Sequence, residues 1–235
     1  MLVVAGGLQR TGSTYMWQML GDIIEVNGGI VTPRNQNPGH WAHEWANSED
    51  TYLCKTHTYK SSFDEVIDRI KVIMTVRDPR DLVVSYAYLQ ETTPQNILYR
   101  GMFDRVMDNW RIWKEKVPAQ QFYIIRYEML AQWPVAAMIG IWDFLDSTVI
   151  YRFLEDSAAR WSLQNNRIRS RQRYDFRGRE YVYRRLINNG EIGQFKNGSM
   201  KLTLEQIRRI EETAKDYIQE YGYTELGDYD EVSDN

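Results

Sequence analysis

Three short stretches of this sequence combine residue types that handle anions and protons. Gly6-Gly7-Leu8-Gln9-Arg10-Thr11-Gly12-Ser13-Thr14 is rich in glycine and hydroxyls and carries one guanidinium. Lys55-Thr56-His57 sets an ammonium and an imidazole two residues apart. Arg77 precedes Asp78-Pro79-Arg80-Asp81, with Ser85 further on, and supplies a planar cation suited to phosphate. Gly7 and Gly12 would let the backbone turn tightly and bring N–H groups up to an anion. Phosphate binding beside a base is the chemistry these types suggest.

The flanking patterns say what must position them. Leu2-Val3-Val4-Ala5 is an apolar run long enough for a buried strand. Tyr15 to Leu20, continued at Ile23 and Ile24, has helical spacing, and Asn27-Gly28-Gly29 would stop that helix. Strand, glycine loop and helix make a phosphate cradle, with about half a positive charge from the helix dipole. The loop approaches the Walker pattern G-x-x-x-x-G-K-[ST]: Gly7, Gly12 and Thr14 fit, but Ser13 stands at the lysine position and the cation is Arg10. That lysine reaches the β- and γ-phosphates, so its absence argues against triphosphate chemistry. A ligand-free strand-to-helix turn is the bland alternative, and a P-loop kinase or NTPase the nearest active one.

Thr51 to His57 reads as a short strand, with Lys55 and His57 on one face. Its end is where open α/β sheets bind ligands, although His57 alone could equally be a surface residue. Phe63 to Ile70 fits a short amphipathic helix. Lys71 to Val76 has the near-continuous apolar run of a central parallel strand and ends at Arg77. Pro79 and Asp81 then open a helix that carries Ser85. A kinase would want an acidic metal ligand where Arg77 stands. Met102 to Glu115 is a further helix, Phe122 to Tyr127 a further strand ending in Tyr127-Glu128, and Pro134 opens another helix. Strand repeatedly precedes helix, so the expected fold is α/β, P-loop-like, with a central parallel sheet flanked by helices in three layers. Residues 32–50 read as a long irregular loop packed down by tryptophans. His40 and His43 there are too few ligands for a metal, and none is expected.

Composition bounds the classes. The 235 residues read as a single domain, and 43% hydrophobic with 13% aromatic residues excludes disorder. A net charge of −3 gives no global field towards nucleic acid or membrane. The arginines from Arg167 to Arg185 interleave with tyrosines. This stretch reads as a basic lid or insert over about 160–200, against a nucleic-acid surface or a solvated helix face. No nucleic-acid motif supports the second. Asn188-Asn189-Gly190 begins another glycine-bearing loop; Thr203 and Gln206 make a capping box, and Leu204 to Tyr221 presents one apolar face that Gly222 ends. Residues 225–235 form an acidic tail. Cys54 is the only cysteine, which fits a reducing cytoplasm. No leader or membrane span is evident, so a cytoplasmic protein is expected.

Taken together and in order, these segments resemble the sulfotransferases that use 3′-phosphoadenosine 5′-phosphosulfate (PAPS). Gln9 to Tyr15 resembles their 5′-phosphosulfate loop, usually Pro-Lys-Ser-Gly-Thr-Thr-Trp. Leu53 to His57 resembles the Lys-Thr-His segment that supplies a catalytic lysine and base. Val76 to Tyr86 resembles the 3′-phosphate motif, in which the arginine and serine hold that phosphate. Tyr127-Glu128 resembles the pair whose tyrosine lies near the adenine, and Gly190 to Lys196 the late Arg-Lys-Gly-x-x-Gly-x-Trp-Lys loop. The resemblance implies sulfuryl transfer from PAPS to a hydroxyl or amine of a small-molecule or saccharide acceptor, without a metal. It implies His57 as base, with Lys55 and Arg10 stabilising charge on the transferring and leaving groups. Arg10, Thr11, Gly12, Ser13, Thr14, Arg77, Ser85, Tyr127 and Gly190 would bind the nucleotide. The chain departs from the pattern in placing Asn188-Asn189 where Arg-Lys is usual, and Arg184 or Arg185 could stand in.

Overall fold

Leu2–Gly7 forms β1, buried along its whole length, and the loop after it turns into α1 (Ser13–Val26). In this computed structural model the described residues are 1–33, 38–147, 151–171, 192–197 and 200–223. β2 (Ile30–Val31), α2 (Pro38–Asn47) and β3 (Tyr52–Lys55) follow. A kinked 3-10 helix, Ser61–Arg69, leads into β4 (Ile70–Val76), α3 (Pro79–Leu89), α4 (Pro94–Tyr99) and α5 (Met102–Lys116). Then come β5 (Phe122–Arg126), α6 (Tyr127–Gln132), α7 (Pro134–Phe144), α8 (Tyr151–Arg160) and α9 (Leu163–Arg169). The short α10 (Gln194–Asn197) precedes α11 (Leu204–Thr213) and α12 (Lys215–Tyr221).

The five strands pair in parallel in the order β2-β3-β1-β4-β5. A parallel sheet needs helices on both faces, and the strand period of two supplies both. Leu2 and Val4 point to one face, where they join Cys54, Val72 and Met74 against Val83, Trp110 and Tyr217 from the helices. Val3 and Ala5 point to the other, with Leu53, Ile73 and Ile125 against Trp17, Ile23, Met138 and Leu154. The result is the three-layer α/β arrangement that the strand–helix alternation implies. From β1 the chain moves one way across the sheet, and from β4 the other. The carboxyl ends of β1, β3, β4 and β5 therefore frame a crevice at a topological switch point.

The local signals act as their chemistry dictates. The Asp78 side chain accepts from the Arg80 N–H ahead of Pro79 and opens α3; Thr203 and Gln206 form a reciprocal capping box. Gly222, at φ 64°, ends α12. Three segments differ from the sequence reading. Residues 38–47 are helix rather than loop: Ala42, Trp45 and Ala46 are buried at helical spacing, and Trp45 stacks on Tyr52 with ring centroids 5.6 Å apart. The apolar face from Leu204 onward is split at Ala214, where φ −106° and ψ 19° separate α11 from α12. The amphipathic turn at 61–69 is a 3-10 helix broken at Val66. Among the described residues no helix is long and apolar enough to cross a membrane.

α12 reaches the sheet end through one side chain. Tyr217 is fully buried; its hydroxyl accepts from the Arg77 N–H and donates to the Arg77 carbonyl, both at 2.9 Å. Burial pushes this phenol well above its ordinary pKa. Tyr217→Phe strips both backbone groups of their partner inside the core, a loss of about 1–3 kcal/mol. Urea denaturation should show that fall in stability, and an unchanged midpoint would refute the clasp.

Candidate active site

The β1–α1 loop is a tight, internally bonded turn. The Thr11 hydroxyl donates to the Leu8 carbonyl at 2.7 Å and meets the Thr75 hydroxyl at 2.8 Å, which ties the loop to β4. Arg10 and Gly12 both have positive φ, 74° and 83°. A left-handed non-glycine residue is strained by of order 1–3 kcal/mol, so the surrounding contacts hold Arg10 there. Gly12 caps α1, and a Cβ on it would lie 2.5 Å from the Tyr127 ring. Both its backbone angle and the ring beside it therefore require glycine. α1 therefore starts at the crevice, since Gly12, Ser13 and Thr14 line its cavity, and a helix start is a terminus that suits an anion.

β3 delivers a cation and an imidazole to this loop. Lys55 is nearly closed to solvent, and its Nζ donates to the Thr14 Oγ1 at 2.7 Å with the Trp17 ring beneath it, 5.7 Å to the centroid. His57 Nδ1 lies 2.8 Å from the Gly7 carbonyl. A carbonyl can only accept, so Nδ1 carries the proton and Nε2 is the basic nitrogen of the neutral ring. From α5, Asn109 fixes the backbone around His57: its amide donates to the His57 carbonyl and accepts from the Tyr59 N–H.

β4 and α3 build a second, more cationic corner. Arg77 is buried, with its guanidinium 4.4 Å over the Tyr127 ring, 3.4 Å from the Asp81 carboxylate and 3.5 Å from the Arg10 carbonyl. Arg10 Nε donates to the Ser85 hydroxyl at 3.1 Å. Burial, and then the charge on Arg77, lower the Arg10 guanidinium from 12.5 to about 10, so it stays charged at neutral pH. The Arg10 guanidinium on Ser85, with Arg77 against the Arg10 carbonyl, gives this corner a positive character of the kind that suits an anion. Glu128 braces the corner: its carboxylate accepts from the Asp78 N–H and from the Tyr223 hydroxyl, both at 3.1 Å.

One cavity of about 790 Å³ joins the two corners. Arg10, Gly12, Ser13, Thr14, His57 and Tyr127 line it, with Arg77 and Ser85 at the α3 side. Its opposite wall comes from α8 and α9, with the small residues Ala158, Ala159 and Ser162. That wall is fastened to α1, because the Ser157 hydroxyl and the Trp161 ring N–H both donate to Asp22 at 2.8 Å. Gln18 and Asn166 also exchange amide hydrogen bonds.

The profile of the sulfotransferase domain matches residues 16–222. The chain belongs to the sulfotransferase family. No curated protein matches it by sequence alone, but solved structures share its fold. Mouse sulfotransferase SULT7A1, complexed with PAP, superposes with a TM-score of 0.72 at 17% identity, over 95% of this chain and 88% of that one. A retinol dehydratase in complex with androsterone and PAP gives 0.62 at 13% identity, over 93% and 80%. At these identities the likeness is one of fold. The matched span begins just after the glycine loop of this sulfotransferase, so the loop rests on its geometry.

Of the residues the sequence singled out, Thr11 and Lys55 sit behind the cavity surface, Thr11 bonded inward and Lys55 reaching forward to Thr14. Gly190, most of the arginine-rich stretch and the acidic tail lie outside the described residues. Sequence reasoning missed Asn109, Tyr217 and the position of Asp81 between Arg77 and Ser85. Only the last had a signal, since residues 77, 81 and 85 fall at intervals of one helical turn. Gly12→Ala should combine left-handed strain with the collision against Tyr127. We expect a loss of at least about 1 kcal/mol in urea denaturation, and wild-type stability would remove Tyr127 from its place over the loop.

Proposed function

We propose that this sulfotransferase moves the sulfuryl group of PAPS to a hydroxyl or amine of a small-molecule or saccharide acceptor, with His57 as general base. The observation that carries the reading is the spacing of positive groups along one cavity. Lys55 and the start of α1 lie at the glycine loop, while at the other corner the Arg10 guanidinium meets Ser85 and Arg77 meets the Arg10 carbonyl. That pattern suits one nucleotide with two separate anionic groups. The glycine loop at the start of α1 fits a 5′-phosphosulfate; the guanidiniums near Ser85 fit a 3′-phosphate. Tyr127 and Tyr15 offer rings near the nucleoside between them. The PAP reported with both fold neighbours is what such a donor leaves behind.

PAPS supplies the sulfuryl group and, once that is lost, a good phosphate leaving group. The chain supplies position and charge. His57 accepts the acceptor's proton at Nε2, and the Gly7 carbonyl, already bonded to Nδ1–H, steadies the imidazolium that forms. Lys55, aligned by Thr14, and the α1 N–H groups face the negative charge that grows on the departing 5′-phosphate. Arg10, which the sequence paired with Lys55 in that task, turns its guanidinium to Ser85 and serves the 3′-phosphate corner instead. Arg77 and Ser85 hold the 3′-phosphate and so fix the donor's long axis. Ser13 in place of a Walker lysine is consistent with a donor that carries no γ-phosphate. A reducing cytoplasm is the compartment this reading assigns, in keeping with the single, fully buried Cys54.

Calorimetric titration with 3′-phosphoadenosine 5′-phosphate (PAP) beside ADP tests the donor. We expect clear binding of the first and much weaker binding of the second. Equal affinities, or magnesium-dependent binding of ATP instead, would return the chain to the kinase reading. His57→Ala should retain PAP binding while turnover with labelled PAPS and a working acceptor falls by about 10²–10⁴-fold. Near wild-type turnover in that variant would remove His57 from the role.

A further inference from the structure

Asp81 is completely buried in the first turn of α3, one turn after Arg77 and one turn before Ser85. A carboxylate at that place is unexpected on electrostatic grounds, because it stands between two side chains that face an anion. Its own contacts explain it. One oxygen, Oδ2, accepts from the Arg77 guanidinium at 3.4 Å and from the Gly193 N–H at 2.8 Å. The other, Oδ1, accepts from the Phe195 N–H at 3.1 Å. Residues 192–197 are thus seated on the same carboxylate that orients Arg77. Apolar contacts reinforce the seat: Phe195 is buried with Val84 and Ile207, and the Arg80 guanidinium lies 4.6 Å over its ring.

We propose that Asp81 is a positioning residue that couples the docking of residues 192–197 to 3′-phosphate binding at Arg77 and Ser85. The inference rests on the nucleotide reading above. Its sign follows from how the carboxylate's charge is shared. With Gly193 and Phe195 docked, two backbone N–H groups neutralise part of that charge, and Arg77 has more of its own field to offer a phosphate. With the segment undocked, Asp81 turns its full charge on Arg77 and competes with the ligand. Docking therefore strengthens phosphate binding, and phosphate binding strengthens docking by the same factor. This sequence places Asn188-Asn189 in the segment before residue 192, where the resembling family has two cations. A coupling through Asp81 lets the docked segment raise phosphate affinity without contributing a charge of its own.

The test combines hydrogen exchange with a double-mutant cycle on the full chain. In the wild-type protein, PAP should slow exchange at the Gly193 and Phe195 amides, and ADP should not. Phe195→Ala loosens the seat without touching Asp81 or Arg77, and should weaken PAP binding by roughly tenfold, within the usual range of coupling between sites, leaving ADP affinity unchanged. In an Asp81→Asn background the same Phe195→Ala change should have little effect on PAP, because the seat no longer reports to Arg77. Thermal melting of each variant checks that it is folded, and the wild-type exchange measurement stands even if a variant is not. Amide exchange at 193 and 195 that ignores PAP, or an equal Phe195→Ala effect in both backgrounds, would overturn the coupling alone. Wild-type indifference to the 3′-phosphate would overturn the nucleotide reading and the coupling with it.

Discussion

Arg77 places a full positive charge where water hardly reaches, and much of the site is arranged to compensate it. A buried cation needs a counter-charge, donors' partners or a polarisable face nearby. Arg77 has all three: the Asp81 carboxylate, the Arg10 carbonyl and the Tyr127 ring. Each of these comes from a different element, so one side chain ties α3, the glycine loop and α6 into a common frame. Its backbone is held as firmly, by Tyr217 from α12. An anion arriving at this corner meets a cation already paid for in desolvation, and gains from it what an exposed arginine could not give.

The parallel sheet explains why so much chemistry meets in one place. All five strands run the same way, so the loops at their carboxyl ends share one edge of the molecule. β1 contributes the glycine loop, β3 Lys55 and His57, β4 Arg77, and β5 Tyr127. The Thr11–Thr75 contact fastens two of these loops side by side, and the His57–Gly7 contact a third. Neither strand twist nor side-chain flexibility has to bring them together.

The elements that carry the site were readable because their signals are local. An apolar run bounded by glycines, or by Arg-Asp-Pro, makes β1, β4 and their loops evident at the level of sequence. So does the capping box at Thr203. The helix at 38–47 was hidden because histidines, tryptophans and a glycine blur its apolar stripe, and its burial depends on Tyr52 and the core beneath. Tyr217 and Asn109 were invisible for another reason. Their partners, Arg77 and His57, are far away in the chain, and nothing in a tyrosine at helical spacing separates a clasp from ordinary packing. The candidate site residues were singled out by their types. Those that hold them in place required the fold.

The wall formed by α8 and α9 differs in kind from the rest of the cavity. It presents the small side chains Ala158, Ala159 and Ser162 beside Leu163 and Asn166, and its anchorage runs through Asp22, Gln18 and Asn166 rather than through the charged corners. Volume and charge are thereby separated within one binding site. Enlarging or trimming this surface would reshape the cavity, as in bump-and-hole design, while the charged corners stay as they are.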